Sequence, residues 1–233
     1  MHFLLYLQQQ EYLRISNTPT MKKIMVDVAF PALEKDARSE LAAAGTLHQY
    51  KKGETIVGAG EPLQKVYFIL NGFIKICRVD AEGKQFVLFY LHGGHAFGVS
   101  ISSEETDHIC LATYMAAEPT TVLEVGFDDK DRLAKKYDSF YRFILKKAVM
   151  HYEFYLNLIK SLAFEQLDVR IEYFLERLGK AKNKTVLKIS HQEIADGLHA
   201  SRESVSRLLK KMEDAGKIKL GRGQIEVIKL LGQ

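Results

Sequence analysis

The sequence predicts an α+β protein with three parts in order: an N-terminal double-stranded β-helix (jelly-roll-like) domain, a long helix, and a C-terminal winged helix-turn-helix. Three observations predict this order. Short strand patterns separated by glycines run from about residue 45 to 127, a helical stripe follows Asp128, and two short helical segments precede a hairpin pattern near the C-terminus. With 233 residues and 47% hydrophobic side chains, the chain is long enough for two ordinary domains.

Composition excludes several classes of protein. Cys77 and Cys110 are too few for a disulfide scaffold, a four-cysteine zinc site or a cysteine-ligated iron-sulfur cluster, and low cysteine use fits a reducing compartment. No apolar run approaches the ~18 residues that would span a bilayer. We therefore expect a cytoplasmic protein that makes no membrane contact.

The predicted β domain spans residues 29–127 and follows an N-terminal extension, residues 1–28. Nine of the sixteen glycines fall between Gly45 and Gly98, where they separate short apolar runs. These runs have the length of strands: Thr55–Val57, Val66–Leu70, Phe73–Cys77, Phe86–Leu91 and a further stretch from Ile109 to Val125. In the extension, the ordered chain either begins near Met21 or includes a short helix packed on the domain.

Residues 128–163 are predicted to form the long helix and a hinge. Apolar positions recur there at steps of three and four residues: Tyr141, Ile144, Leu145, Ala148, Tyr152, Tyr155, Ile159 and Leu162. A stripe of this length predicts a coiled-coil-like dimer seam formed by Tyr141, Ile144, Ala148, Tyr155 and Leu162. The alternative is a helix that only lies on the barrel. After the stripe, the helical period slips near Leu162–Phe164, which indicates a hinge.

The C-terminal domain, residues 164–233, begins with a further helical pattern that is predicted to end at Gly179. Ser190 and Glu193 then form a capping box that starts a second helix, and Ser201 can cap a third. Two short helices joined this closely predict a helix-turn-helix, with Gly197 permitting the tight turn.

The last of these helices has an apolar face and a polar face. The apolar face consists of Val205, Leu208, Leu209 and Met212, and the polar face of Arg202, Glu203, Ser206, Arg207 and Lys210. Arg can donate two hydrogen bonds to guanine O6 and N7, Glu can accept from cytosine N4, and Ser can bond a base or a phosphate. The polar face therefore predicts a recognition helix in the major groove.

A hairpin pattern follows the recognition helix. Ile218–Leu220 and Ile225–Ile228 flank Gly221-Arg222-Gly223, so we expect a wing whose Lys217, Lys219 and Arg222 contact phosphates. Residues 164–233 hold 14 basic and 10 acidic side chains, which accounts for the whole net charge of +4. The predicted DNA-contacting residues are Gln192, Ser201, Arg202, Glu203, Ser206, Arg207, Lys210, Lys219 and Arg222.

These motifs resemble the CRP/FNR transcription regulators from about residue 30 onward. The matching strings are Lys52-Gly53-Glu54-Thr55-Ile56, Gly60-Glu61-Pro62, Val66–Leu70 with Gly72, Gly94 with Phe97-Gly98, and Ser201–Arg207. The resemblance implies a signal-sensing barrel, a homodimer formed by the long helix, and a palindromic DNA operator, with RNA polymerase as a further partner of an activator. The order Glu203, Ser206, Arg207 resembles the FNR-type reader and implies half-sites related to TTGA or TGA, about one DNA turn apart.

The sequence departs from family members that bind cyclic AMP. Those members carry Phe-Gly-Glu and, further on, Arg-Ser or Arg-Thr, whereas this chain has Phe97-Gly98-Val99 and Cys110-Leu111-Ala112. No Lys or Arg occurs from Gln85 to Asp129, and the stretch is acidic through Glu104, Glu105, Asp107, Glu118, Glu124, Asp128 and Asp129. A buried phosphate would lack a cationic partner there, so we predict that the effector is not a cyclic nucleotide.

The effector that remains is unidentified. An apolar pocket between barrel and long helix is expected from Phe97, Val99, Cys110, Tyr114, Leu145, Ala148 and Tyr152. It would hold an organic ligand, or haem with His151 or Met150 as a ligand, although packing or surface exposure is the ordinary role of such residues. The N-terminal cysteines of the FNR iron-sulfur sensor are absent. A redox role for Cys77 or Cys110 has little support, because no cation lies next to either in sequence.

Two alternatives come from other classes of protein. His92 and His95 lie in a glycine-rich turn, which is an imperfect fragment of a cupin-like metalloenzyme site. The helix-turn-helix could instead mediate protein contacts. We expect neither an enzyme nor a bound metal.

Overall fold

The computed structural model of the protein describes residues 18–79, 85–99, 108–164, 166–182, 184–198 and 200–228, with backbone alone at 161–164 and 181. The chain divides into two compact units: Met1–Ile76 with Tyr90–Glu153, and Cys77–Phe89 with Phe154–Gln233. Within the described ranges, no helix combines the length and the apolarity needed to span a membrane.

Two helices precede the strands, α1 (Pro19–Ala29) and α2 (Lys35–Ala44). The Thr18 side chain accepts a hydrogen bond from the Met21 amide, and proline at the first helical position fits the start of α1. Val26 is fully buried in the core of the first unit. For residues 18–29, the structure therefore shows the second of the two expectations, a helix packed on the domain. The earlier part of the extension lies outside the described residues.

The strands form two four-stranded sheets, as the predicted jelly-roll-like architecture requires. The sheets have the orders β1-β8-β3-β6 and β2-β7-β4-β5. The strands are β1 (Thr46–Tyr50), β2 (Thr55–Val57), β3 (Lys65–Asn71), β4 (Phe73–Val79), β5 (Gln85–His92), β6 (Ala96–Phe97), β7 (Thr113–Ala116) and β8 (Thr120–Gly126). β8 pairs antiparallel with both β1 and β3, so distant parts of the chain close the roll. The predicted fold class is confirmed.

The main core of the first unit lies between one sheet and the helices. Val66, Phe68 and Leu70 alternate along β3 and share one face of it. The Phe68 ring meets Phe30 edge-on at 5.7 Å between centroids. Ile144 is only 9% exposed and belongs to this cluster. The structure therefore corrects the prediction that Ile144 lies in a dimer seam, because its side chain is already buried within its own chain.

The predicted single run of residues 128–163 is two helices, α3 (Phe127–Lys136) and α4 (Asp138–Phe164). They are separated at Tyr137, whose backbone is extended with φ −124° and ψ 114°. The Tyr137 hydroxyl donates to Glu40 Oε1 at 2.7 Å, which ties this break to α2. The long helix therefore begins ten residues later than the sequence predicted.

The second unit contains a helix-turn-helix and a small sheet. Its helices are α5 (Leu167–Lys182), α6 (His191–Leu198) and α7 (Arg202–Asp214), and its strands are β9 (Val186–Leu187), β10 (Ile218–Gly221) and β11 (Gln224–Val227). The sheet order is β10-β11-β9, so the predicted hairpin gains a third strand. α5 continues three residues beyond the predicted end at Gly179, and the Gly179 carbonyl accepts from the Lys184 amide.

Gly197 has a different role from the one predicted. It lies within α6 rather than in the turn, and a Cβ atom there would stand 2.8 Å from Cε2 of Phe174 on α5. Close approach of two helices therefore explains this glycine.

Candidate DNA-binding interface

The recognition helix α7 is fixed by its cap and by its apolar face. Ser201 Oγ accepts from the Ser204 amide at 3.1 Å, so this hydroxyl serves the helix N-terminus. Val205 and Leu209 are fully buried and Met212 nearly so. Burial of these side chains settles which face of the helix is left for a partner.

The predicted reading face is at the surface. Arg202, Glu203 and Arg207 are exposed on the first two turns, and Ser206 is half-buried. Lys210 is exposed but paired, with its Nζ 2.8 Å from Glu213 and 3.2 Å from Asp214. The structure thus presents two guanidinium groups and one carboxylate together at the start of a rigid helix.

The helix before it, α6, begins with the predicted capping box. The Ser190 amide donates to Glu193 Oε2 at 2.8 Å, and the Glu193 amide donates to Ser190 Oγ at 3.1 Å. Gln192 is exposed and its side-chain amide donates to Asp196 Oδ1 at 2.7 Å. His191 Nδ1 lies 2.9 Å from Ser206 Oγ, a contact between α6 and α7 that the sequence analysis did not foresee.

The wing is a hairpin of β10 and β11 with Arg222 and Gly223 in its turn. Gly223 has φ +70°, a left-handed conformation that favours glycine. Lys219 and Arg222 are both exposed. The Leu220 amide donates to Glu213 Oε1 at 2.7 Å, which joins the wing to α7. The pKa of Glu213 is lowered, first by its hydrogen bond from Lys210 and then by this amide.

Lys217, a predicted phosphate contact, forms an ion pair with α5. Its Nζ lies 2.5 Å from Oε1 of Glu172 on α5, and Glu172 is only 6% exposed. A buried carboxylate needs such a partner. The Lys217 ammonium is therefore already engaged within its own unit, and its contact with DNA stays a prediction.

The residues of the expected effector pocket fall into different surroundings in the first unit. Phe97 is buried, and its ring stacks on those of two tyrosines. The ring centroids are 4.5 Å apart for Tyr67, with an interplanar angle of 3°, and 4.1 Å apart for Tyr114, with an interplanar angle of 12°. Val99 belongs to the main core between one sheet and the helices, and Ala148 packs against this core. By contrast, Leu145 is 47% exposed and Tyr152 63% exposed.

Both cysteines are buried thiols. Cys110 Sγ donates to the Ala112 carbonyl at 3.0 Å, and burial raises the pKa of this thiol. A protonated, inaccessible thiol is a poor nucleophile, so the geometry gives no support to a redox role.

The histidines of the glycine-rich turn lie together. The rings of His92 and His95 are 4.0 Å apart between centroids. Burial, followed by the charge of Lys147, lowers the pKa of His95 to about 3 and that of His151 to about 4. These imidazoles are neutral at pH 7. Across the described residues, no group of three or more His, Cys, Asp or Glu side chains is placed to hold a metal ion. Met150, which with His151 was named as a candidate haem ligand, is half-buried.

Glu124, which the sequence analysis named only as part of an acidic stretch, is a buried polar group inside the roll. Glu124 on β8 is only 7% exposed, and it accepts from Tyr50 Oη at 2.7 Å and from Lys65 Nζ at 2.8 Å. Burial and the bond to this carboxylate raise the pKa of Tyr50, and burial raises that of Tyr67 to about 12. An acidic residue between the apolar residues Leu123 and Val125 was the available signal.

Comparison with known proteins matches both parts of the chain. Residues 47–137 match the cyclic nucleotide-binding domain and residues 169–231 the Crp-like helix-turn-helix domain. The cAMP-activated global transcriptional regulator CRP of Pasteurella multocida is 26% identical over 174 residues, which cover 72% of this chain and 83% of that protein. The global nitrogen regulator of Nostoc sp. is 26% identical over 189 residues, which cover 77% of this chain and 84% of that protein.

A solved structure shares the fold. It is a transcriptional regulator of the crp/fnr family from Eubacterium rectale, with a TM-score of 0.68 at 20% identity over 86% of this chain and 94% of that one.

A β-roll joined in one chain to a Crp-like helix-turn-helix defines a DNA-binding transcription regulator. The chain belongs to the CRP/FNR family. The relatives it matches are transcription regulators rather than enzymes, so the cupin-like alternative is set aside.

Proposed function

We propose that this regulator acts as a homodimer that reads a palindromic operator with one α7 helix in each of two successive major grooves. The observation that carries the proposal is the exposed cluster of Arg202, Glu203 and Arg207 at the start of α7. These side chains match the donor and acceptor patterns of G·C pairs, and two copies related by a two-fold axis would read an inverted repeat. Its place of action is the cytoplasm, where the chromosome lies. RNA polymerase is a further partner if the outcome is activation.

Selection of binding sites from a random pool of DNA duplexes tests this function. We expect the full chain to enrich an inverted repeat whose half-site centres are about one helical turn, ~10 base pairs, apart. Binding should weaken steeply as salt rises, because phosphate contacts release counterions. If no sequence is enriched, or if the affinity for DNA does not change with salt concentration, the result would favour a helix-turn-helix that contacts protein.

An apolar stripe along α4 supports the homodimer. Its members are exposed on the single chain: Tyr141, Leu145, Val149, Tyr152, Tyr155, Leu156 and Ile159. A contiguous stripe of large apolar side chains on one long helix is typical of an uncovered interface. Tyr141 and Tyr155 of the predicted seam belong to the stripe, and so does Leu145, which was not part of that prediction. Ala148 of the predicted seam is half-buried and packs, like Ile144, against the core of its own chain. The side chain of Leu162 lies outside the described residues.

Lys219 on the wing is proposed to contact the DNA backbone. Lys219→Ala should weaken binding to all duplexes alike, because a phosphate contact carries no sequence information. Two contacts are lost per dimer, so the slope of log affinity against log salt should fall in magnitude by about 2. Fluorescence anisotropy at several salt concentrations measures both effects. A change in the selected sequence instead would show that Lys219 reads a base.

The effector is proposed to be something other than a cyclic nucleotide. Tyr67 and Phe97 come from one sheet and Tyr114 from the other, so their stack brings the two sheets into direct contact inside the roll. The nearby Glu124 carboxylate is buried and already has Lys65 as its ion-pair partner, so a phosphate beside it would need a further cation. The relative named as cAMP-activated therefore does not define the ligand of this chain.

Titration with cyclic AMP and cyclic GMP checks this proposal. We expect no saturable heat in calorimetry at micromolar nucleotide and no change in operator affinity. Saturable binding of either nucleotide in that range would contradict it. An absorption spectrum of the protein purified from its native host addresses the haem alternative, since a bound haem gives an intense Soret band.

Control by the effector is proposed to act through two arrangements of α4 and of the hinge predicted near Leu162–Phe164, at the end of this helix. A ligand that binds one arrangement more tightly shifts the population toward it. The spacing of the two recognition helices would change accordingly.

A further inference from the structure

His191 connects the first helix of the helix-turn-helix to the reading face of the second. It is the first residue of α6, and its Nδ1 lies 2.9 Å from Ser206 Oγ on α7. Ser206 follows Arg202 by four residues and Glu203 by three, so all three side chains lie on the same face of the helix. Both partners of this hydrogen bond are half-buried, at the edge of the proposed DNA interface.

The neighbouring polar groups on α6 are engaged elsewhere. The Glu193 carboxylate accepts from the Ser190 amide and hydroxyl, and the Asp196 carboxylate accepts from Gln192. The ring of His191 is therefore directed across to α7 while the side chains around it stabilise α6 itself.

The state of His191 Nδ1 determines what the Ser206 hydroxyl can offer to a base. A hydroxyl has one hydrogen to donate and two lone pairs to accept with. If Nδ1 carries no hydrogen, it accepts a hydrogen bond from the Ser206 hydroxyl. The Ser206 oxygen can then act only as an acceptor toward a base, which suits adenine N6 or cytosine N4. If Nδ1 carries a hydrogen, Ser206 is free to donate, which suits guanine O6 and N7 or thymine O4.

We propose that His191 is a positioning residue that sets base specificity through Ser206, by fixing the direction of the hydroxyl and its role as donor or acceptor. The inference rests on the proposed function, because it requires α7 to read bases. It adds a specificity determinant outside the recognition helix, on a residue that itself touches no base.

A double-mutant cycle in site selection tests the proposal. The full chain, His191→Ala, Ser206→Ala and the double variant are each taken through the same random duplex pool. Ser206→Ala defines the base position that Ser206 reads. We expect His191→Ala to reduce the preference at that position by about 2- to 10-fold, the range for one hydrogen bond. In the Ser206→Ala background, the same change should have no further effect on that preference.

Two conservative variants keep the test valid if His191→Ala is poorly folded. Asparagine can place a polar atom near the position of Nδ1, whereas glutamine places one nearer that of Nε2. His191→Asn should therefore retain more of the preference than His191→Gln, at equal thermal unfolding midpoints. A purely structural role would not produce this order.

Other outcomes would overturn the inference. Equal weakening of all sequences by His191→Ala would make His191 a phosphate contact, and equal effects in both backgrounds would show that it acts without Ser206. Either result leaves the proposed function standing if the unaltered chain selects an inverted repeat. If the unaltered chain selects no sequence, the proposed function fails and this inference fails with it.

Discussion

Replacing Leu145 and Tyr152 together with glutamate should convert the protein to a monomer and weaken operator binding by about 10³-fold or more, the lower end of the gap between specific and non-specific binding. The two side chains are 47% and 63% exposed on one chain, so the change should cost the isolated fold little. In a dimer seam the added carboxylates would be buried against each other without partners. Sedimentation analysis and anisotropy measure the two effects.

Lys146→Glu is the matched control for this variant. Lys146 is exposed on the same helix but is not part of the apolar stripe. The Lys146→Glu variant should therefore remain dimeric. A double variant that stays dimeric and binds its operator normally would place the dimer interface elsewhere.

Replacing Glu203 or Arg207 with alanine should remove most discrimination between the operator and other DNA while the dimer stays intact. A good side-chain contact with a base pair contributes about 1–3 kcal/mol of discrimination, and a symmetric dimer makes each contact twice, giving about 2–6 kcal/mol for the whole site. Both side chains are exposed, so their loss creates no cavity. Competition between the selected operator and a scrambled duplex measures the ratio.

Lys211→Ala provides the comparison. Lys211 is exposed on α7 beyond its first two turns, so its removal should leave the preference for the operator unchanged. If Glu203→Ala and Arg207→Ala behave like Lys211→Ala, the reading face has been assigned to the wrong side of the helix-turn-helix.

The architecture could be predicted from local sequence signals. Glycines between short apolar runs indicated the roll, and the capping box at Ser190 and Glu193 indicated the start of α6. Elements that show no hydrophobic periodicity were not predicted or were given the wrong bounds. β9 has only two residues, too few to show alternation. The break at Tyr137 is accompanied by a hydrogen bond to Glu40, 97 residues away in sequence, which a local pattern does not indicate.

The chemistry of the site was predictable where it depends on one helix face and not where it depends on distant partners. Arg202, Glu203 and Arg207 are exposed because their neighbours on α7 form the core. Lys217 was predicted only as a phosphate contact, because its partner Glu172 lies 45 residues earlier in the chain. Along α4, the period alone could not tell which apolar side chains face the chain's own core, as Ile144 does, and which remain uncovered, as Leu145 does.

Affinity cleavage with a chelated iron attached to α7 shows whether this helix enters the major groove. Lys211→Cys offers an exposed attachment point, and Cys77 and Cys110 are buried. If each protomer of the proposed dimer places α7 in a major groove, the selected operator should show two clusters of cleavage related by two-fold symmetry and about one helical turn apart. A single asymmetric cluster, or cleavage spread evenly along the duplex, would show that two α7 helices do not read successive grooves as a symmetric pair.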